Sequence, residues 1–260
     1  MRQWTVMYRK EWLELLRTYK LLWVPLAFVL LSAMQPVSTY FLPDILAHAG
    51  NLPEGAVISI PVPTAEEVMA QTLQQLNVFG LLILALSSMN VISAERTGGM
   101  TAMILVKPVS FRGFVASKWA AQLTLVTIAF AGGFGAAYYY TSVLFRTPDW
   151  HRSLIAIALY WLWLVLAGAL TLAFSALLRS GAAAAVCSLA LLAALSVTAG
   201  LLPDALSASP GMLPKLASAQ FLDPAAGKFW PVTVSTLGVL AAAMETAAFA
   251  LRKRPTLLSS

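Results

Sequence analysis

Six long apolar runs constrain the fold of this chain more than any other feature of its sequence. They fall at about residues 21–42, 74–92, 117–145, 153–178, 181–202 and 230–251. Each is close to or above the roughly 20 residues with which a helix crosses a bilayer. Lipid offers no partner for backbone N–H and C=O groups, so a run that crosses must be helical. The sequence therefore predicts an all-α membrane protein with six transmembrane helices.

The composition excludes a soluble globular domain. Only 11% of the residues are charged, while 59% are hydrophobic. An ordinary soluble domain has about 25% charged residues. With so few charges a chain of 260 residues could not cover a surface that faces water, whereas apolar residues can face outward in lipid.

The distribution of basic residues predicts which way the helices cross. Of the 17 lysines and arginines, 13 fall in the N-terminal segment, in the loops after the second and fourth runs, and in the C-terminal tail. The loop 43–73 has none and carries four acidic residues. Because loops rich in lysine and arginine stay in the cytoplasm, we expect both termini there.

Residues 1–20 are predicted to form an amphipathic interfacial helix. Aromatic and leucine side chains recur at helical spacing, with charged residues elsewhere around the wheel: Trp4, Tyr8, Trp12, Leu15, Leu16 and Tyr19. Such a helix should lie along the inner membrane surface, either as a plain anchor or also as a contact for a cytoplasmic partner. It lacks the features of a cleavable signal and is expected to be mature structure. The transmembrane domain then spans 21–254, and 255–260 form a cytoplasmic tail.

Two segments on the outer side differ in their predicted structure. The loop 43–63 is rich in proline and glycine and is expected to be irregular. Thr64 and Glu67 then match a capping box, so the second membrane helix is expected to begin outside the membrane. The loop 203–229 is expected to pack back onto the bundle as short helices, because four of its residues are unusually apolar for exposed positions: Leu213, Leu216, Phe221 and Phe229.

Motifs of catalysis are missing from the sequence. There is no phosphate-binding loop of the form G-x-x-x-x-G-K-[ST], no nucleophile elbow, and no Cys/His set with metal-ligand spacing. The single cysteine, Cys187, excludes an internal disulfide. We therefore expect a non-catalytic chain that binds no cofactor or metal of its own and no nucleic acid.

Polar residues inside the runs are the candidates for a pathway. The second run is the most polar, and its Asn77, Ser87 and Asn90 would line a pathway or a dimer seam, or would serve as contacts between helices. Glu245 is the acidic residue inside a run. It either belongs to that pathway or is structural, since it precedes Arg252, Lys253 and Arg254 by about two turns and could pair with them or reach the interface.

One cytoplasmic segment, Glu95–Lys118, is predicted to contact a partner. Gly98 and Gly99 should break the descending helix and Pro108 should allow a second turn, with a short apolar helix between them at the inner surface. Lys107, Arg112 and Lys118 are expected at the level of the lipid headgroups. A purely structural hairpin would need fewer residues, whereas a short helix held at the membrane face suits a groove on a soluble protein.

This segment resembles the signature of the ABC-2-type exporter permeases. The resemblance rests on an acidic residue, a glycine pair, an apolar stretch, Pro-Val-Ser with a nearby arginine, and a lysine that enters the next run: Glu95, Gly98, Gly99, Leu105, Pro108, Val109, Ser110, Arg112 and Lys118. Six spans, cytoplasmic termini, an amphipathic N-terminal helix and a length near 260 match the family across the whole chain. Met100 stands where the family often has threonine, and Phe111 occupies the common arginine position.

The resemblance implies the membrane subunit of an ATP-driven bacterial exporter in the inner or plasma membrane. A second permease copy or paralogue would complete the path, and two separate ATPase subunits would bind ATP and Mg. The segment would be a cytoplasmic coupling helix between spans 2 and 3 that reaches the ATPase through eight residues: Glu95, Arg96, Gly98, Gly99, Leu105, Pro108, Arg112 and Lys118. Two other functions stay open. One is a non-transporting ABC-2-like subunit in resistance or signalling. The other is a membrane-embedded enzyme or secondary transporter, which would normally show several ionisable residues at the midplane.

Overall fold

The computed structural model describes residues 2–48, 63–97, 110–223 and 229–253, and these are helical almost throughout. In chain order the α-helices are α1 (Arg2–Arg17), α2 (Lys20–His48), α3 (Ala65–Gln75), α4 (Leu81–Ser88), α5 (Ser93–Thr97), α6 (Phe111–Leu144), α7 (Trp150–Leu177), α8 (Gly181–Leu201), α9 (Leu213–Leu222) and α10 (Trp230–Lys253). A π-helical turn, Leu76–Gly80, joins α3 to α4, and a 3-10 turn, Pro210–Met212, precedes α9.

Six helical segments are long and apolar enough to cross a membrane. They are α2, the run from α3 to α5 (Ala65–Glu95), α6, α7, α8 and α10. No strand occurs in the described ranges. The prediction of an all-α protein with six membrane-spanning helices is therefore confirmed. The interfacial position of α1 stays a prediction, as does the coupling helix, because residues 98–109 lie outside the described part of the chain.

The fourth membrane helix, α7, lies at the centre of the bundle. It packs against α4, α6, α8, α9 and α10, and its Tyr160 and Trp163 are fully buried. On one side of this core α2 packs along α6. At Gly133 the two helices come so close that a Cβ would lie 3.1 Å from the carbonyl oxygen of Phe28. Small residues permit such close approach between membrane helices.

The second membrane helix begins at the predicted capping box. The Thr64 hydroxyl accepts a hydrogen bond from the Glu67 N–H at 3.2 Å, and the Glu67 carboxylate accepts one from the Thr64 N–H at 2.8 Å. These two bonds satisfy donors that the first helical turn would otherwise leave unpaired. The helix therefore starts at Ala65, ahead of the apolar run itself.

The segment after α8 folds back onto the bundle, as its apolar residues predict. The turn Pro210–Met212 packs against α8, and α9 packs against α3 and α7. Leu213 and Phe221 are buried in the common core, and Leu216 is partly buried against it. Phe229 differs from the expectation, since 36% of it stays exposed at the start of α10.

Two helix ends differ from the sequence prediction. The first helix ends at Arg17, and Tyr19 adopts a left-handed φ of 55°. Because α2 starts at Lys20, the chain must turn sharply here, so Tyr19 forms the link and does not lie on the apolar face of α1. The second difference is that α2 continues through Pro43 to His48, so 43–48 are helical. Membrane helices tolerate proline when neighbouring groups satisfy the freed carbonyl.

Candidate functional site

Five charged side chains meet where the chain enters and leaves the undescribed segment 98–109. They come from three helices that are far apart in sequence: Lys10, Glu11 and Glu14 of α1, Glu95 of α5 and Lys118 of α6. We call these five residues the ion cluster. Burying a charge in an apolar interior is costly unless an oppositely charged group is close to it. In this cluster each charged group lies beside one of opposite sign.

Lys118 is the centre of the ion cluster. Its side chain is completely buried, and its Nζ donates to both carboxylate oxygens of Glu11 at 3.0 Å. The same Nζ lies 2.9 Å from Glu95 Oε2, as an ion pair without the geometry of a directed hydrogen bond. The Phe114 ring adds a cation–π contact at 5.1 Å from its centroid. One buried ammonium group therefore links α1, α5 and α6.

Lys10 closes the ion cluster on its outer side. It donates to Glu95 Oε1 and to Glu11 Oε1, and its side chain is 38% exposed. Burial acts to lower the pKa of Lys10. The hydrogen bond to Glu95 and the negative charges of Glu11 and Glu95 outweigh that effect, and the pKa of Lys10 is raised above its ordinary value. Lys10 is therefore held as a cation.

The raised pKa of Lys10 predicts how stability depends on pH. A lysine whose folded pKa exceeds its unfolded value, about 10.4, stabilises the fold fully below that value, and the contribution is lost as pH rises through the folded pKa. We expect the difference in melting temperature between wild type and Lys10→Met to stay constant from pH 7 to about 10 and to shrink above that. Thermal unfolding in detergent across this range tests it. A difference that already shrinks below pH 9 would show that burial dominates.

Helical spacing explains why α1 places a carboxylate inside. Met7, Glu11 and Leu15 follow one another at four-residue intervals and so share one face. Met7 and Leu15 pack against the core, and Glu11 between them is 7% exposed. Beside this face, the Tyr8 hydroxyl lies 3.1 Å from the Thr124 hydroxyl of α6. The buried face of α1 therefore points at α6 and delivers Glu11 to Lys118.

The two buried carboxylates of the ion cluster, Glu11 and Glu95, are balanced by its two lysines. Oxygens of Glu11, Glu14 and Glu95 lie within 4.8 Å of one another, a spacing that would suit a metal ion. Ammonium groups already stand between them, with Lys118 within 3.0 Å of Glu11 and Lys10 at 3.2 Å from it. The lysines supply the positive charge that a cation would bring, so we assign these carboxylates to ion pairing.

A cavity of about 30 Å³ adjoins the ion cluster. Glu11 and Lys118 line it on one side and Ser88 and Gln122 on the other. The Gln122 amide donates to the Ser88 hydroxyl at 2.7 Å, which joins the second and third membrane helices. A cavity of this volume has room for a water molecule or two and excludes an organic ligand. The site is therefore a structural joint and not a substrate pocket.

A separate ion pair lies just after residues 98–109, at the start of α6. Ser110 caps α6 by accepting a hydrogen bond from the Gly113 N–H at 3.1 Å. Two residues on, Arg112 Nε and Nη2 lie 3.1 and 2.9 Å from Glu245 Oε2 of α10. The sequence suggested that Glu245 pairs with the arginines and lysine of its own helix end or reaches the interface. The observed partner is Arg112, because α6 and α10 pack side by side.

The Arg112–Glu245 pair is expected to add little to stability. The two side chains are 78% and 59% exposed, and exposed pairs typically contribute about 0–1 kcal/mol. A double-mutant cycle with Arg112→Gln and Glu245→Gln, followed by thermal unfolding, should give a coupling energy below about 1 kcal/mol. A coupling above about 2 kcal/mol would show that the pair is desolvated in the assembled protein.

Polar residues of the second membrane helix bond within the chain. Asn77 Oδ1 accepts a hydrogen bond from Trp163 Nε1 at 2.8 Å. Further along the chain this membrane helix is interrupted between α4 and α5. There the Ser175 hydroxyl of α7 donates to the Met89 carbonyl and accepts from the N–H groups of Ile92 and Ser93 at 3.1 Å. Such side-chain bonds satisfy backbone groups that a broken membrane helix leaves free.

The predicted pathway residues do not form one line. Asn90 lies against Gly181 at the start of α8. A Cβ added to Gly181 would overlap the Asn90 side-chain oxygen. Ser87 is buried and donates to the Leu84 carbonyl, and Glu245 is at the exposed pair with Arg112. For Asn77 and Asn90 the contacts favour the alternative of helix–helix packing, whereas Ser87 bonds within its own helix. A role in a pathway or dimer seam stays a prediction.

Of the eight predicted coupling residues, the structure brings two together. Glu95 and Lys118 meet in the ion cluster, whereas Arg112 lies at the separate pair with Glu245. The sequence suggested that Lys118 lies at the level of the lipid headgroups, but its side chain is buried inside the protein. The side chain of Arg96 is not described, and four further residues lie outside the described ranges: Gly98, Gly99, Leu105 and Pro108. Their coupling role stays a prediction.

Sequence reasoning missed the partners of Lys118. Glu11 was not singled out, because its buried partner Lys118 is 107 positions away in the sequence. A signal was present, since a glutamate between Met7 and Leu15 interrupts an otherwise apolar face. Lys118 gives the reciprocal signal, since Phe114 and Gln122 follow the same four-residue spacing on the buried face of α6.

Most of the chain is similar in sequence to known proteins. Residues 5–225, which include all five residues of the ion cluster, match the family model described as ABC-2 family transporter protein. The transmembrane protein YxlG of Bacillus subtilis (strain 168) is 37% identical over 234 residues, and the alignment covers 89% of this chain and 91% of that relative. Together with the six membrane-length helices, these matches show that the chain is a multi-pass membrane protein that belongs to the ABC-2 transporter family.

Proposed function

We propose that the chain is the permease subunit of an ATP-driven exporter and that the segment Glu95–Lys118 receives force from separate ATPase subunits. ATP and Mg would bind to those subunits, because this sequence lacks a phosphate-binding loop. A second permease, either another copy or a paralogue, would form the other half of the path through the bacterial cell membrane. The excess of basic residues supports a cytoplasmic position for the segment and both termini, where the ATPase would be.

The contacts on both sides of residues 98–109 are the observation that supports this proposal. Before these residues, Glu95 is linked to α1 through Lys10 and to α6 through Lys118. After residues 98–109, Arg112 contacts α10 through its exposed pair with Glu245, a weaker link than the buried ion cluster. A displacement of residues 98–109 would therefore act on three helices of the bundle. Packed helices shift as bodies between discrete arrangements, so a push at this segment would be converted into a movement of the bundle.

The proposed mechanism is a bias on a two-state equilibrium. The permease would exchange between inward-facing and outward-facing arrangements, and the ATPase would contact the segment differently in its ATP-bound and ATP-free forms. A partner shifts such an equilibrium only by the difference in its contact energy with the two states. Inverting the populations from 1:99 to 99:1 takes about 5.5 kcal/mol, so the segment must be held firmly enough to transmit that load.

Copurification with an ATPase tests the proposal. The chain is coexpressed with a candidate ABC ATPase from the same genome, and complex formation and ATP hydrolysis are measured in lipid nanodiscs. We expect the two to copurify, and we expect Gly99→Val and Pro108→Ala to weaken assembly or to abolish stimulation of hydrolysis. Gly200→Val is the matched control, because a Cβ at Gly200 meets no neighbouring atom and α8 lies outside the segment. Loop variants that assemble and stimulate as wild type does would contradict the proposal.

A further inference from the structure

An apolar groove of about 490 Å³ lies between α6 and α7. Aromatic side chains form its walls, including Phe130, Phe134 and Trp161, and small residues such as Gly135 and Ala158 leave it open. Its volume falls within the roughly 300–1,000 Å³ of small-ligand sites, which are likewise lined mainly by apolar and aromatic groups. We propose that this groove binds one acyl chain of a phospholipid that carries an anionic headgroup. The inference is independent of the exporter proposal.

Three polar side chains that line the groove already have partners within the protein. Trp161 Nε1 donates to the Thr127 hydroxyl at 3.0 Å, and that hydroxyl donates to the Leu123 carbonyl at 2.7 Å. The Tyr138 hydroxyl donates to the Pro148 carbonyl at 3.3 Å. A ligand with polar groups inside the groove would have to lose its hydration without gaining hydrogen bonds there. The portion of the ligand inside is therefore hydrocarbon.

The mouth of the groove carries the features of a membrane interface. Tyr138 and Trp150 pack edge to face at 5.7 Å between centroids, and Trp150 is 58% exposed. Tyrosine and tryptophan concentrate at the headgroup level of membranes. These residues lie at the α6–α7 connection, at the opposite end of α6 from Lys118 and the ion cluster. A chain in the groove would thus extend from this interface toward the membrane interior.

An arginine without an ion-pair partner stands in that connection. Arg146 follows the end of α6, is exposed, and pairs with no acidic side chain in the described part of the chain. The neighbouring Arg152 already pairs with Asp149 at 3.4 Å. A guanidinium binds phosphate oxygens through two parallel hydrogen bonds. An apolar groove next to a connection that holds an arginine unpaired within the described residues matches a phospholipid, whose acyl chain is joined to a charged headgroup.

The chemistry of the site also decides between lipid and a second copy of the chain. The groove is concave and laterally open, and acyl chains surround it in the bilayer. A second copy would have to insert a protruding apolar ridge and would leave Arg146 without a counter-charge. An anionic lipid satisfies both features at once. An exposed ion pair contributes up to about 1 kcal/mol, which corresponds to about a fivefold preference for an anionic headgroup.

Filling the groove tests the proposal. A Cβ built on Gly135 meets no atom within 4 Å, so Gly135→Leu can occupy the groove without a clash with its neighbours. Gly238 of α10 is equally open and lies outside the groove, so Gly238→Leu is the matched control. Full-length protein is delipidated in detergent and titrated with phosphatidylglycerol or phosphatidylcholine, and bound lipid is counted by native mass spectrometry.

We expect the wild type to bind one phosphatidylglycerol about fivefold more tightly than phosphatidylcholine. Gly135→Leu should weaken both lipids by about tenfold, as expected when two methylene groups lose their contacts, and Gly238→Leu should bind as wild type does. Arg146→Gln should abolish the headgroup preference. If Gly135→Leu does not fold, Ala158→Leu fills the same groove from α7.

Three results would overturn the proposal. The first is a filled groove that binds lipid as tightly as the wild type. The second is a headgroup preference that persists in Arg146→Gln. The third is a change in oligomeric state of Gly135→Leu with unchanged lipid binding, which would make the groove a contact between copies of the chain.

Discussion

Replacing Lys118 with methionine is expected to destabilise the protein by about 3–5 kcal/mol. The side chain of Lys118 is completely buried, and Glu11 and Glu95 are 8% and 7% exposed. Methionine has a similar volume, so the substitution removes the charge more than the packing. Two carboxylates would then remain buried close together with Lys10 as their nearest counter-charge. Thermal unfolding in detergent or nanodiscs, calibrated by denaturant titration, measures the loss.

Two further variants separate charge from packing at this position. Lys10→Met is the matched control, because Lys10 belongs to the same cluster but is 38% exposed, and it should cost about 1 kcal/mol or less. The double variant Lys118→Met/Glu11→Leu should recover most of the stability, since apolar pairs often replace buried ion pairs without loss. Equal effects of Lys118→Met and Lys10→Met, or no recovery in the double variant, would contradict the assignment of Lys118 as the buried counter-charge of Glu11.

Replacing Gly211 with alanine is expected to cost about 3 kcal/mol, the upper end of the usual range for overpacking. A Cβ at this position would overlap the Leu195 carbonyl group and lie 3.0 Å from the Ser196 nitrogen. These atoms are the backbone of α8, which has no rotamer that could relieve the clash. The turn Pro210–Met212 would have to move away from α8 and would draw with it the buried Leu213 of α9.

Gly200 supplies the control for this experiment, because alanine at this position is expected to stabilise the protein and not to destabilise it. It lies in α8 close to Leu195, and a Cβ there meets no neighbouring atom. Gly200→Ala should therefore stabilise the protein by up to about 1 kcal/mol through helix propensity. Melting temperatures measure both changes, and limited proteolysis at the 203–212 segment reports its undocking. Similar melting temperatures for the two variants would show that the turn does not pack closely on α8.

The membrane helices could be predicted from sequence because each is fixed by its own composition. A run of about 20 apolar residues must be helical in lipid, whatever its neighbours are. The start at Thr64 was predictable for a similar reason, since both partners of the capping box lie within four residues. The docking of α9 followed from Leu213 and Phe221, whose exposure to water would be costly.

The ion cluster could not be predicted, because it depends on how distant helices pack. Lys118 could have reached the headgroup region by extending its side chain, as lysines near helix ends do. It turns inward because α1 packs on α6 and presents Glu11. The pairing of Glu245 with Arg112 was missed for the same reason: the basic residues at its own helix end were visible in the sequence, whereas Arg112 is 133 positions away.

The central claim is that force applied to the segment Glu95–Lys118 reaches the bundle through the ion cluster. The direct measurement is the ATP hydrolysis rate of the copurified permease–ATPase complex in nanodiscs, with Glu11→Gln compared to Glu14→Gln. Glu11 bonds to Lys118, whereas Glu14 is 46% exposed and lies 3.9 Å from Lys10. Neither variant alters the segment itself, so both should assemble with the ATPase. We expect Glu14→Gln to keep the wild-type stimulation and Glu11→Gln to lose at least about fivefold of it. An assembled Glu11→Gln complex that hydrolyses ATP at the wild-type rate would contradict the claim.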